Sequence, residues 1–408
     1  MRNIFDQYRH PENRLTHALV TSLHESPNLL RSFAKLADHP VPSNSGISVK
    51  QQYRPAEGDL PEEEAQRKGL PDAWLDDGQD WALVIESKLT NGIAIEQLRA
   101  HRRAARGFKD AKVLLVSMET PTQQVAQEFS CLQWTDVYQW ATRASRDDAW
   151  AEKLARYMEV AERKLLDEES ELSGALTVFA GIPFDAENPY SYREAKRLLG
   201  LLMQNLRKRD ELRQKLGANL SRDGRPAITG KAGFSVWDML PLAVAGEHFT
   251  DAPHLTVGIR HDEAIAQLTI PNNVRNPDRK KLLGSDFEQF EMLLDDFLKD
   301  VEPVLAKDPQ CKPYVEVIQR HWPHRRAPAV KDAELVFDPR TWRGSGAIKE
   351  QGEWARVAFE AMTNKEANLQ IAVGVRFPYG ASALVASPGF DDAVAQVFLA
   401  TRRILDRL

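Results

Sequence analysis

Glu86-Ser87-Lys88 places a carboxylate and an ammonium two residues apart at the end of an apolar run. On a strand this spacing turns both charged groups to one face and Ser87 to the other. Asp72 stands upstream, and the Asp77-Gly78 pair between it and Glu86 is a hairpin signal. A loop with an odd number of residues, such as Asp77-Gly78-Gln79, sets Asp72 opposite Val84 and diagonal to Glu86. Such diagonal neighbours lie about 7–8 Å apart at Cα, near enough for two carboxylates to share a cation. A loop of two or four residues turns Asp72 to the wrong face unless a bulge intervenes. Asp72, Glu86 and the Ser87 carbonyl form the oxygen set that hard ions such as Mg2+ or Mn2+ accept, together with water and a substrate phosphate. An ion there would activate water and neutralise charge on a phosphate, with Lys88 orienting the water or stabilising the transition state. These residues point to phosphodiester hydrolysis.

The surrounding elements can be read from periodicity. Leu15, Ala18, Leu19 and Leu23 predict a helix from Pro11 to Glu25, with proline in its first turn and Glu12 at its start. Ile47–Tyr53 alternates as a strand, and Pro55–Gly69 reads as a charged loop. Asp72–Leu75 and Trp81–Ile85 form the hairpin, the second run being apolar on both faces like a covered central strand. A helix near Ile93–Gly107 and a strand at Val113–Val116 follow, giving the order helix, three strands, helix, strand.

Pro71-Asp72, thirteen intervening residues and Glu86-Ser87-Lys88 resemble the signature of the PD-(D/E)XK nuclease superfamily, within the helix and strand order that superfamily shares. Glu12 resembles the helix-borne acid that many members add to the metal site, and Gln97 the glutamine often found on the helix after the lysine. The resemblance covers roughly residues 1–140 and implies a restriction-endonuclease-like mixed sheet flanked by helices. It implies a metal set of Asp72, Glu86, Ser87 and Glu12, with Lys88 and Gln97 completing the catalytic group. It further implies a Mg2+- or Mn2+-dependent DNA endonuclease, in a setting such as bacterial restriction or anti-phage defence, while the choice of DNA over RNA lies outside the motif. A homodimer suits the cutting of two strands. Two other readings share these residues: a fold member without activity that binds nucleic acid or another ligand, and a subunit activated by a partner chain. A solvated ion pair between Glu86 and Lys88 would do no chemistry.

Arg99, Arg102, Arg103 and Arg106 fall at i, i+3, i+4 and i+7 and form one basic stripe, with no acid between Gln97 and Lys109. The stripe can track a phosphate backbone or be a solvated helix face. Gln97 and His101 lie one turn apart on another side of that helix, and His101 reads as a packing or capping residue. Gly344-Ser345-Gly346 with Lys349 lacks phosphate-loop spacing. His321-Trp322-Pro323-His324 reads as a loop with incidental histidines, and the Arg320–Arg326 cluster as a weaker basic patch.

The 408 residues suit more than one core. Residues 1–145 are expected to form the nuclease-like domain, 146–170 a connecting helix around Trp150, Leu154, Met158, Ala161 and Leu165, and 171–408 an α+β domain serving recognition, sensing or assembly. In this second half the patterns predict helices near Tyr192–Leu216, Phe287–Leu298 and Asp391–Leu405. A hairpin of Leu255–Ile259 with Ala264–Ile270 and strands at Glu334–Phe337 and Leu369–Phe377 complete the expectation. The fold class is thus α/β to α+β. A net charge of −5 excludes a protein that coats nucleic acid by total charge, leaving local patches. Cys131 and Cys311 alone supply no disulfide framework and no cysteine zinc site. No apolar run approaches the ~18–20 residues needed to span a bilayer, which with the reduced cysteines predicts a cytoplasmic protein.

Overall fold

The computed structural model describes residues 10–43, 45–54, 58–59, 70–89, 94–168, 174–221, 228–229, 235–242, 251–324, 329–341, 352–364 and 368–407. The chain is mixed α/β and divides into two compact units, Met1–Val178 and Phe179–Leu408.

In the first unit, α1 (Pro11–Glu25) starts on a proline that needs no donor there, and its stripe of Leu15, Ala18, Leu19 and Leu23 is fully buried. Ser26 then caps α2 (Pro27–Leu36) by accepting from Leu29 N. Strand β1 (Ser48–Gln51) leads to the short ribbon of β2 (Tyr53–Arg54) and β3 (Gly58–Asp59). Then come β4 (Ala73–Asp76), β5 (Trp81–Lys88), α3 (Ile95–Ala104), β6 (Asp110–Ser117), α4 (Gln123–Glu128), β7 (Ser130–Gln133), α5 (Trp134–Ala144) and α6 (Ala149–Glu168).

The sheet order is β1-β4-β5-β6-β7, antiparallel over its first two pairings and parallel over its last two. Central β5 is buried on both faces, as its apolar run predicts. On one face Leu75, Leu83, Ile85, Leu114 and Val116 share a core with residues of α1, α2, α5 and α6. On the other, Trp74, Val84, Val113 and Leu115 meet Leu98 and Ala105 beside α3, with Val125 and Phe129. The helix expected to connect two halves is part of the first core: Leu154, Met158 and Leu165 of α6 are buried in it, and the division falls after Val178.

The β4–β5 hairpin has an odd loop, Gly78-Gln79-Asp80, closed by Asp77 N donating to Trp81 O. Gly78 sits at φ +71°, a left-handed position suited to glycine. Asp76 accepts from Gly78 N, and Asp77 from Gln79 N and Trp81 N. The loop begins one residue later than the expected Asp77-Gly78-Gln79. Ala73 therefore pairs with Ile85, and one further step places Asp72 opposite Glu86 rather than Val84. The parity, and with it the face, is as expected, whereas the diagonal relation is corrected to a direct one.

The second unit carries α7 (Tyr192–Arg207), α8 (Asp210–Leu216), β8 (Ile228–Thr229), β9 (Ser235–Pro241), β10 (His254–Arg260), β11 (Glu263–Ile270), α9 (Asn276–Leu283) and α10 (Phe287–Lys307). After these come β12 (Lys312–His321), β13 (Val330–Phe337), α11 (Gly352–Asn364), β14 (Leu369–Pro378), α12 (Phe390–Ala400) and α13 (Arg402–Leu405). Its antiparallel sheet runs β13-β12-β14-β11-β10-β9-β8, with α7 packed on β9 and β10 and α12 on β11 and β14. The single helix expected over Tyr192–Leu216 is two, because Arg209 is extended and Asp210 begins anew. The closing helix is likewise divided at Thr401. Among the described residues no helix is long and apolar enough to cross a membrane.

Candidate active site

Alternation along β5 sends Trp81, Leu83, Ile85 and Ser87 toward α1 and Val84, Glu86 and Lys88 toward α3. Ser87 is fully buried, and its hydroxyl meets Thr16 Oγ1 of α1 at 2.5 Å. Thr16 also donates to the Glu12 carbonyl, so one threonine ties the start of α1 to the end of β5. Glu12, on the first turn of α1, reaches past the strand end. Its Oε2 accepts from Leu89 N at 3.1 Å and its Oε1 from Lys88 Nζ at 3.0 Å.

Glu86 is 2% exposed and is held by three donors. Its Oε1 accepts from Lys88 Nζ at 2.6 Å and from Gln97 Nε2 at 2.7 Å, and its Oε2 lies 3.0 Å from His101 Nε2. Half-buried Asp72 accepts from Ser87 N at 2.7 Å through Oδ2. Asp72, Glu86, Lys88, Glu12, Gln97 and Ser87 thus meet at one end of the sheet, together with His101, whose ring closes on Glu86 rather than packing without a polar partner.

Charge in this cluster is unbalanced: three carboxylates face one ammonium. Burial, and next the neighbouring Glu86 carboxylate, push the Asp72 carboxyl well above the usual carboxylate range; Glu12 adds to this, against Lys88 and the Ser87 N–H. Burial opposes the charge on Lys88, but Glu86, Glu12 and Asp72 together outweigh it and hold the ammonium above its ordinary value. Among the described residues no three His, Cys, Asp or Glu side chains stand in a group that could hold a metal ion, and Lys88 Nζ lies between Glu86 and Glu12. The donor set still suits a hard divalent ion. It is all oxygen, and a cation among its crowded carboxylates would relieve the repulsion from Glu86 that adds to burial in raising Asp72.

The basic stripe divides in two. Arg99 binds Glu128 of α4 through Nε and Nη2 and Glu96 through Nη1, while Arg102 binds Glu128 at 2.7 Å and lies over Phe129. The acid that neutralises them arrives from another helix, invisible to spacing along α3. Arg103 and Arg106 are exposed and have no ionic partner among the described residues. Sequence spacing alone also missed Thr16 and the Leu89 N–H, although Thr16 stands one helical turn from Glu12.

Elsewhere, His321 pairs with Asp332 across β12 and β13 at 2.6 Å, which gives that histidine a structural contact. Gly344, Ser345, Gly346, Lys349, Arg325 and Arg326 lie outside the described residues, as does most of the loop at 55–69. No protein-family model matches the chain, and no curated protein matches it.

Proposed function

We propose that the first unit is a metal-dependent nuclease of the PD-(D/E)XK, restriction-endonuclease-like kind that hydrolyses phosphodiester bonds of DNA. The observation that carries this reading is the gathering of Asp72, just before β4, Glu86 of β5 and Glu12 of α1 around the single ammonium of Lys88. Asp72, Glu86, Glu12 and the Ser87 carbonyl would hold Mg2+ or Mn2+. Such an ion supplies activated water and neutralises charge on the phosphate. The chain's own residues do the rest. Lys88, kept charged by its carboxylates, offers three N–H donors to a water or a phosphate oxygen. Gln97 and His101 fix the Glu86 carboxylate. The Ser87 N–H holds Asp72, and Glu12 closes the strand end at Leu89.

Exposed Arg103 and Arg106 give the cluster's neighbourhood a cationic contact for a phosphate backbone. Endonucleolytic action on both strands would be served by two copies about a twofold axis, with the second unit recognising the target, sensing a trigger or mediating assembly. A role in restriction or anti-phage defence accords with this chemistry.

The test is incubation of the purified chain with supercoiled plasmid, linear duplex, single-stranded DNA and RNA, in Mg2+, Mn2+ or EDTA, beside Lys88→Ala. Metal-dependent DNA cutting that vanishes in the variant is expected. No cutting of any substrate, or undiminished cutting by Lys88→Ala, would overturn the proposal.

One observation favours a second reading, in which the cluster is a closed relic in a nucleic-acid-binding module or in a subunit opened by a partner. Both Glu86 oxygens are already engaged by protein donors. DNA binding that persists without divalent-ion uptake would select it.

A further inference from the structure

The geometry assigns His101 as the positioning residue for Glu86, the side chain that, among the described residues, fixes the second carboxylate oxygen so that the group is presented to a cation in a single orientation. The inference rests on the reading of Glu86 as a cation ligand. Oε1 has two donors, Lys88 and Gln97, whereas Oε2 has His101 alone among the described residues. A carboxylate with only Oε1 anchored can swing about that point; a third bond at Oε2 removes the swing.

The ring itself shows where its polarity is used. His101 is fully buried, and its Nδ1 has no hydrogen-bond partner among the described residues. A carboxylate oxygen only accepts, so Nε2 is the donor to Glu86, while Nδ1 faces nothing among the described residues that could bond it. Leu98 and Ala105, flanking it on the same side, are buried and apolar. Packing alone would be better served by an apolar side chain, which strands no nitrogen away from water. What the imidazole adds at this position is one donor aimed at Glu86. Outer hydrogen bonds of this kind set the orientation of a ligating group and the affinity of its metal.

Amide replacements separate this role from mere tolerance of a buried polar group. Glutamine places its amide nitrogen near the position of Nε2, and asparagine near that of Nδ1, where nothing waits to accept. Mn2+ is titrated calorimetrically into the full chain as wild type, His101→Gln, His101→Asn and His101→Leu, with thermal melts run in parallel to show that each variant folds. His101→Gln should bind within about threefold of wild type, while His101→Asn and His101→Leu should bind about 10–100-fold more weakly, the range seen when such outer partners are lost. Equal affinity in all four proteins would overturn the assignment, as would equal loss in His101→Gln and His101→Asn. Should either of the weaker variants fail to fold, the other still decides. Absence of Mn2+ uptake by the wild type is a different result: it removes Glu86 as a cation ligand and the assignment of His101 with it.

Discussion

Each of the two units gathers acidic side chains against cationic ones beside its sheet, and the two clusters differ in their charge count. On β11, β12 and β14, Glu263 and Glu316 face Arg376, which spans both at 3.6 and 3.1 Å and lies over the ring of Tyr314. Arg260 adds a second guanidinium to Glu263. Two acids meet two arginines; burial holds the Glu263 carboxyl above its ordinary value, and Arg376 and then Arg260 oppose that rise without cancelling it. Around Lys88 three acids meet one ammonium, and after burial the next strongest influence on Asp72 is another carboxylate, pushing the same way. A balanced network is sufficient for holding strands together. An unbalanced one costs stability, and under the proposed function a bound cation would recover that cost.

The comparison is broken most directly by truncating one acid in each cluster. Glu86→Ala should reduce DNA cleavage at least about 10³-fold, because it removes a ligand and a partner of Lys88 together. Glu316→Ala should leave cleavage unchanged yet destabilise the protein by roughly 1–3 kcal/mol, since it removes the nearer of the two carboxylates of Arg376 and leaves that guanidinium with Glu263 at 3.6 Å. Cleavage assays and denaturant unfolding of both variants check the pair, and exchanged outcomes would reverse the assignment of the two clusters. Lys88→Ala should cost about 10²–10³-fold in rate, measured at saturating Mg2+.

A smaller effect tests the sign of the imbalance. Asp72 has its carboxyl raised in the folded state, so its contribution to stability is present below the unfolded carboxylate value and is lost as pH rises through the folded one. In metal-free buffer at pH 8, Asp72→Asn should therefore melt about 2–4 °C higher than wild type, with the gap closing toward pH 4 and activity absent throughout. A lower melting temperature for Asp72→Asn at pH 8 would show that the carboxylates are not in conflict. The least effect concerns the stripe on α3. Arg103→Ala with Arg106→Ala should weaken DNA binding a few-fold and lower the slope of log affinity against log salt by about 2, without changing stability. Arg99→Ala should instead loosen the contact with Glu128 and alter binding less; fluorescence anisotropy across a salt series distinguishes them.

Much of this cluster was legible before the fold was known. The strand period alone put Glu86 and Lys88 on one face, whereas Asp72 joined them only on the condition of an odd loop, which the bond from Asp77 N to Trp81 O supplies. Helix α1 was readable to its ends because Pro11 and the leucine stripe leave little else for those residues to do. What escaped was set by contacts between elements far apart in sequence. The exact register depended on Asp77 bonding Trp81 rather than closing one residue earlier, and the neutralisation of Arg99 and Arg102 depended on α4 delivering Glu128. Strand β12 has no counterpart in the sequence reading, and its last residue, His321, belongs to the strand rather than to the loop expected there. His101 looked like packing because its partner lies on a strand, not on its own helix.

The central claim, that the carboxylates around Lys88 are built for a cation, is tested most directly by crystals of the full chain grown with Mn2+ and measured above and below the manganese absorption edge. An anomalous peak bounded by the Asp72 and Glu86 carboxylates, absent in Glu86→Ala crystals, is the predicted result. Crystals of the wild type that show no anomalous density there, with Lys88 still bridging Glu86 and Glu12 at saturating Mn2+, would contradict it.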